Sequence, residues 1–157
     1  MRRKAISPVI ATVILVAIGM IIAMAASFFL VGTAGQYTSY ERVEIASAYS
    51  TLSPGVTNAQ WGIVLDVKNS GSRPSSISMV TVNEVPIDEY GILLGGVLSE
   101  ASAIGSNMPP DGLNLQSGES TTVYVWVGSD LFSSGTSISV KLQSVSGIGY
   151  IKLVQLT

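Results

Sequence analysis

The sequence predicts an α+β protein in which one long apolar helix precedes an antiparallel β-sandwich. No charged residue occurs from Ala5 to Tyr40, although Arg2, Arg3 and Lys4 stand directly before this stretch. Short β-favouring runs, separated by breaks rich in Gly, Ser and Pro, follow Tyr40. Charged residues make up only 11% of the 157 residues, against roughly 25% in an average globular chain.

The apolar stretch has the features of a single continuous helix. Pro8 fits the first helical turn, where its missing N–H has no partner to lose, and Gly32 and Gly35 mark a weakening end. A helix over residues 6–35 would be about 45 Å long, which exceeds the roughly 30 Å hydrocarbon thickness of a bilayer. Because the segment is apolar on all sides, it must be buried in lipid or in protein. The basic residues in front of it predict a cytoplasmic N-terminus, with the rest of the chain outside.

The remainder of the chain carries seven runs that favour strands. They cover residues 43–49, 61–68, 77–82, 92–98, 121–127, 138–142 and 150–156. The breaks between them contain Ser-Pro-Gly, Pro-Pro-Asp-Gly, Gln-Ser-Gly-Glu and Ser-Ser-Gly, which are turn-forming sequences. Short strands with polar turns predict a β-sandwich. We therefore predict a basic leader over residues 1–5, a helix over 6–40 and a sandwich head over 41–157.

Composition excludes several kinds of function. The chain has no His and no Cys, so it lacks a thiol nucleophile, a disulfide, the usual zinc ligands and a Ser-His-Asp triad. Without residues 1–5, five basic residues face ten acidic ones, a net charge of −5. Nucleic-acid binding needs a basic stripe, so it is not expected. No catalytic cluster stands out, and we predict neither an enzyme nor a cofactor.

Two clusters in the predicted head are candidate binding sites. The acidic cluster consists of Glu84, Asp88 and Glu89. Its oxygen atoms suit a divalent cation, but EF-hand spacing is missing and a solvated loop is favoured. The aromatic cluster consists of Trp61, Tyr124 and Trp126. It suits carbohydrate stacking, but burial in the core or between subunits is favoured.

Three interpretations of the N-terminal segment are open. It is a membrane anchor for an external domain, a secretory signal peptide cut after Ala25, or a leader cut after Ala5. Ala23-Met24-Ala25 offers the small-x-small pattern of signal peptidase sites. Cleavage there would leave four large side chains, residues 28–31, near a free terminus in water, which forgoes about 1.5–3 kcal/mol of burial for each. This disfavours secretion, and the residues alone do not separate the other two.

The start of the chain resembles the N-terminus of archaeal type IV pilins. The matching residues read Arg3-Lys4-Ala5 followed by Ile6-Ser7-Pro8-Val9-Ile10-Ala11-Thr12-Val13-Ile14-Leu15. The resemblance implies that a membrane prepilin peptidase cuts between Ala5 and Ile6, with Arg2, Arg3 and Lys4 as recognition residues. It also implies a cytoplasmic assembly ATPase and a membrane platform protein as partners. The expected product is a homopolymeric surface filament for adhesion or cell contact, built from a precursor in the cytoplasmic membrane.

Position five after the implied cleavage separates branches of the family. Bacterial type IV pilins usually carry Glu there, whereas this chain has Ile10. Archaellins, the subunits of the motility filament, tend to carry an acid early in the helix, and this one has none. The residues therefore fit archaeal pilins best. An archaellum-like subunit and a monomeric, helix-anchored binding domain are the alternatives.

The resemblance extends to helix packing and to the head. Gly19, Ala23 and Ser27 are spaced by four and would form one small stripe on the helix, which permits close approach of a second helix. The predicted packing set in the filament core is Pro8, Ile10, Val13, Ile14, Gly19, Ala23, Ser27 and Phe28. Residues 67–71 and 115–120 look like turns of the immunoglobulin-like sandwiches common in this family.

Overall fold

The computed structural model describes residues 7–52 and 54–157, which fall into two compact units that divide between Ser39 and Tyr40. One long apolar helix is followed by two antiparallel sheets, so the predicted α+β fold class is confirmed. The predicted leader and cleavage residues lie outside the described residues. They are Arg2, Arg3, Lys4, Ala5 and Ile6.

The first unit is the helix α1, Pro8–Tyr37. Pro8 occupies the first turn as its fixed φ favours, and Ser7 is the N-cap. The first helical hydrogen bond runs from the Ala11 N–H to the Ser7 carbonyl over 3.1 Å. The helix ends at Thr38, whose N–H donates to the Ala34 carbonyl. Neither the first nor the last turn carries a charged side chain that would complement the helix dipole. The uncharged character of the helix therefore extends to both of its terminal turns.

The second unit, which we call the head, contains nine strands within the described residues. They are β1 Val43–Leu52, β2 Ala59–Asn69, β3 Ser75–Val82, β4 Val85–Pro86, β5 Ile104–Ser106, β6 Leu113–Leu115, β7 Ser120–Gly128, β8 Ser137–Ser144 and β9 Gly149–Gln155. One sheet has the order β1-β2-β7-β5 and the other β4-β3-β8-β9, with β6 also paired to β3. This is the strand order of immunoglobulin domains with an added edge strand.

Alternating side chains of the two sheets meet in one core. Ile63 and Leu65 of β2, Val125 of β7 and Val140 of β8 are among its fully buried members. Each lies on the inner face of its strand, as the period-two pattern requires. No described residue of α1 belongs to this core, so the head closes its own hydrophobic interior.

The predicted strand over residues 92–98 is wrong. These residues form a loop, and only Val97 makes an isolated bridge, to Thr57. Gly91 and Gly95 both adopt positive φ, which breaks an extended run. The loop instead packs Leu98 against Trp126 on the outer face of the first sheet. The other six predicted runs are found as strands, whereas the short strands β4, β5 and β6 had no sequence signal.

Candidate assembly helix and head surfaces

The side chains of α1 are apolar and mostly exposed. Fifteen large apolar side chains, from Val9 to Val31, are 50–75% exposed. The stretch Pro8–Gly35 is long and apolar enough to cross a membrane, and none of its most apolar window is buried. Burying what these side chains still expose would contribute about 15–30 kcal/mol in total, an upper estimate. A helix of this kind requires a surrounding of lipid or of other chains.

The predicted packing residues all lie on α1. Gly19, Ala23 and Ser27 follow one another at intervals of four, so they form the predicted small stripe. Apart from its two neighbours and the adjacent backbone of the helix, no heavy atom of the described chain lies within 4 Å of the place where a Cβ on Gly19 would stand. The position of Gly19 therefore leaves room for a side chain of another molecule. The other members, Pro8, Ile10, Val13, Ile14 and Phe28, lie on the same helix.

The threonine hydroxyls on α1 are satisfied within the helix. Thr12 Oγ1 donates to the Val9 carbonyl over 2.8 Å, and Thr33 Oγ1 donates to the Phe29 carbonyl over 3.0 Å. Such bonds to the preceding turn remove the cost of placing a hydroxyl in an apolar medium. Both threonines are thus compatible with burial in lipid or in a filament core.

The head receives the chain at one end of the sandwich, which we call the proximal end. Glu41 lies there between three serines. Its Oε1 accepts from Ser75 Oγ and its Oε2 from Ser146 Oγ, each over 2.5 Å. The hydroxyls of Ser146, Ser75 and Ser144 hold the pKa of the Glu41 carboxyl below its ordinary value, against an opposing effect of partial burial. This clasp ties the first residues of the head to β3 and to the β8–β9 turn.

Asn69 organises the same end. Its side chain is fully buried, and Nδ2 donates to the carbonyls of Arg73 and Leu115 over 2.8 and 3.0 Å. Its Oδ1 accepts from the Gly71 N–H over 2.9 Å. The Ser117 hydroxyl also donates to the Gly71 carbonyl. The two turns predicted at residues 67–71 and 115–120 therefore meet and hold each other.

The opposite end of the sandwich, the distal end, is formed by three loops. The Gly95 N–H donates to the Gly55 carbonyl over 3.0 Å, and the Ser129 N–H donates to the Asn58 carbonyl over 3.3 Å. Backbone hydrogen bonds thus join the β1–β2 turn, the loop after β4 and the turn after β7. Four large apolar side chains project from this end into solvent, and they are Leu52, Leu93, Leu94 and Val97.

The acidic residues do not converge on a cation site. Asp88 Oδ2 accepts from the Ile104 N–H over 2.9 Å, and Glu89 Oε1 accepts from the backbone and hydroxyl of Ser99. Glu84 lies in the β3–β4 turn with positive φ. Within the part of the chain that the structure describes, no three acidic side chains come together to hold a metal ion. Asp88 and Glu89 instead fasten the loop that covers the first sheet.

The aromatic residues do not form a stacking platform. Trp61 is buried in the core between the sheets, whereas Tyr124 and Trp126 lie on the outer face of β7. The latter two stack with ring centroids 5.9 Å apart and an interplanar angle of 10°. Trp126 is covered by Leu98 and Val56. The preference for core packing is confirmed for both tryptophans.

In sequence comparisons, no family model matches the chain, and no curated protein matches it. Some solved structures are similar to it at low identity. The archaellum periplasmic stator protein FlaG from Sulfolobus acidocaldarius is 13% identical over 73% of this chain and 99% of that one, with a TM-score of 0.45. The archaeal flagellum of Methanospirillum hungatei strain JF1 is 15% identical over 95% of this chain and 89% of that one, with a TM-score of 0.47. A complex of FlaF and FlaG from Sulfolobus acidocaldarius is 14% identical over 71% and 86%, with a TM-score of 0.42.

Proposed function

We propose that this chain is the structural subunit of an archaeal surface filament of the type IV pilin class, polymerised through α1. The proposal depends on two observations: α1 exposes an apolar surface, and the head closes its own core. The head does not need the helix to fold its interior. The helix is therefore available to pack with other copies of itself.

The free energy of the helix differs between its two surroundings. In a bilayer, lipid tails are as apolar as the side chains, so helix association has little hydrophobic driving force. In water, separating α1 from its neighbours would expose the fifteen large side chains and cost about 15–30 kcal/mol. The subunit can therefore change neighbours while α1 is in the membrane, but it does not dissociate from the filament once α1 is surrounded by water. The stripe at Gly19, Ala23 and Ser27 gives neighbouring helices a surface for close approach.

Removal of the leader would allow the subunit to pass from the membrane into the filament. Arg2, Arg3 and Lys4 carry three positive charges that hold the N-terminus on the cytoplasmic side. Cleavage between Ala5 and Ile6 would remove them and leave a helix end without side-chain charge. The pilin-like N-terminal sequence supports this route, with a prepilin peptidase, an assembly ATPase and a membrane platform protein as partners. The mature subunit would then stand outside the cell, and the filament would serve adhesion or cell contact.

The test is to recover the chain from the cell surface of its native host. We expect sheared surface material to contain filaments, seen by electron microscopy and labelled by an antibody to the head. Mass spectrometry of these filaments should give Ile6 as the first residue. A chain found only as single copies in the membrane, starting at Met1, would show a plain anchor. A soluble product starting at Ala26 would show secretion.

Deleting the gene distinguishes a filament that serves adhesion from one that serves motility. Loss of attachment with normal swimming supports a pilus. Loss of swimming would assign the filament to an archaellum-like role, in which the assembly mechanism stands and the adhesive function does not.

A further inference from the structure

We infer that heads of neighbouring copies stack end to end, with the distal end of one against the proximal end of the next. The inference rests on the proposed function, since only a polymer brings many heads together. It goes beyond it because it assigns a second assembly surface, separate from α1. Both ends of the head carry exposed apolar side chains, and they differ in charge.

The distal end presents an ordered apolar patch. Leu93 and Leu94 are 71% and 67% exposed, yet their loop is fixed. The Thr57 N–H donates to the Gly96 carbonyl over 3.0 Å, and the Gly95 N–H donates to the β1–β2 turn. Exposed leucines on an ordered loop form a surface ready for binding, since little further ordering is needed on contact. Contiguous apolar patches of this kind mark interaction sites more often than chance exposure does.

The proximal end presents a smaller apolar patch. Val145 is 70% exposed at the β8–β9 turn, and Ile148 and Tyr40 are exposed near it. The turn is also fixed, because the Val145 N–H donates to the Ser76 carbonyl over 2.8 Å and Ser146 donates to Glu41. Each end of the head therefore carries apolar side chains on a rigid turn.

Charge decides which ends can meet. The distal end carries only acidic residues, and the basic residues of the head lie elsewhere. The distal acids are Glu84, Glu100 and Asp130. The proximal end carries both signs: Glu41, Glu44 and Glu119 lie there with Arg42, Lys68 and Arg73. Arg42 pairs with Glu44, whereas Lys68 and Arg73 are exposed and form no ion pair among the described residues. Two distal ends would face acid against acid, whereas a distal end against a proximal end meets a surface of mixed sign on which Lys68 and Arg73 are available to its acids.

The polarity of this contact determines the kind of assembly. A contact between unlike ends is heterologous, so every head retains one free end after binding. Such a contact does not stop at a dimer and extends a row of heads. A contact of this kind is compatible with a polymer, whereas an isologous contact would join heads only in pairs.

Engineered thiols test the contact cleanly, because the chain has no cysteine of its own. The test variant carries Leu94→Cys together with Val145→Cys, one thiol at each end. The matched control carries Leu94→Cys together with Leu153→Cys, since Leu153 is equally exposed at 71% but lies on β9 between the ends. Purified filaments are treated with a short thiol-to-thiol cross-linker and run on a denaturing gel.

We expect a ladder of trimers and longer oligomers from the test variant, and monomers from the control and from each single variant. Dimers from the Leu94→Cys single variant would show that distal ends meet each other and would overturn the inference. A second end-to-end pair, Arg73→Cys with Glu100→Cys, covers the case in which the first pair impairs assembly. Assembled filaments without a ladder from either pair would also overturn it. Absence of filaments in the unmodified strain would instead refute the proposed function.

Discussion

Asn69→Ala should destabilise the head more than any surface change of the same residue type. The substitution removes the amide that donates to the carbonyls of Arg73 and Leu115 over 2.8 and 3.0 Å, whereas the Gly71 N–H loses Asn69 Oδ1 but keeps the Arg42 carbonyl as a partner at 3.1 Å. An unsatisfied buried group costs about 1–3 kcal/mol. Because some of these groups can reach water at the proximal end, we expect a total loss of about 3 kcal/mol.

The assay follows urea unfolding of the full chain in detergent by tryptophan fluorescence. Trp61 and Trp126 are both buried in the head, and α1 contains no tryptophan, so the signal reports the head alone. With a denaturant slope of roughly 2 kcal/mol per molar urea, the midpoint should fall by about 1.5 M. The matched control is Asn114→Ala, an exposed asparagine on β6, which should shift the midpoint by less than about 0.3 M. An Asn69→Ala loss as small as that of the control would refute the role assigned to the buried amide.

Three further predictions concern the clasp, the stripe and the leader. Glu41→Gln should reduce the loss of head stability in acid. The serine hydroxyls lower the pKa of Glu41 in the folded head. The ionised carboxylate therefore stabilises the head above the ordinary carboxyl pKa, and this stabilisation is lost as pH falls through the lowered pKa of the folded state. The midpoint of urea unfolding at neutral and acidic pH measures this, and equal acid sensitivity in both proteins would contradict it. Ala23→Phe should block filament assembly while membrane insertion continues, because a large ring on the stripe prevents close helix approach. Met24→Phe, one position off the stripe, is the control, and normal filaments from Ala23→Phe would remove the stripe from the contact. Ala5→Asp should leave an uncleaved precursor in the membrane, seen by its mass, and normal filaments from that variant would show that processing is unnecessary.

The sequence predicted the parts of this fold that depend on local composition. An uncharged run with an early proline is sufficient to predict α1, since no tertiary contact is needed to make it helical or apolar. The strands β2 and β7 were predicted because their residues favour strands and because turn-forming breaks bound each run. The same logic failed at residues 92–98, where the apolar side chains cover Trp126 from a loop. Local pattern does not distinguish an apolar residue on a sheet from one that folds over it.

Features that depend on distant partners were not predictable. The strands β4, β5 and β6 contain two or three residues each, and their pairing is imposed by β3 and β7. Asn69 was predicted as a turn residue, yet its buried role requires Leu115, 46 positions away. The exposed patch at Leu93 and Leu94 was expected to be part of a strand. Only the glycine-bounded loop conformation turns these leucines outward.

The length of α1 distinguishes a filament subunit from a plain membrane anchor. The apolar stretch has 28 residues, or about 42 Å, whereas a bilayer needs about 20 residues. The helix is thus roughly 12 Å longer than the bilayer requires, so in a plain anchor it would have to tilt or protrude, without any benefit to anchoring. Deleting residues 24–30 removes about two turns, nearly preserves the helical phase and leaves 21 residues, enough to span. We expect this variant to insert in the membrane at normal levels, measured by protease protection, but to form no filaments, because the lost turns no longer bury their side chains against neighbouring copies. Filaments of normal yield and stability from the shortened helix would show that the surplus length has no part in assembly.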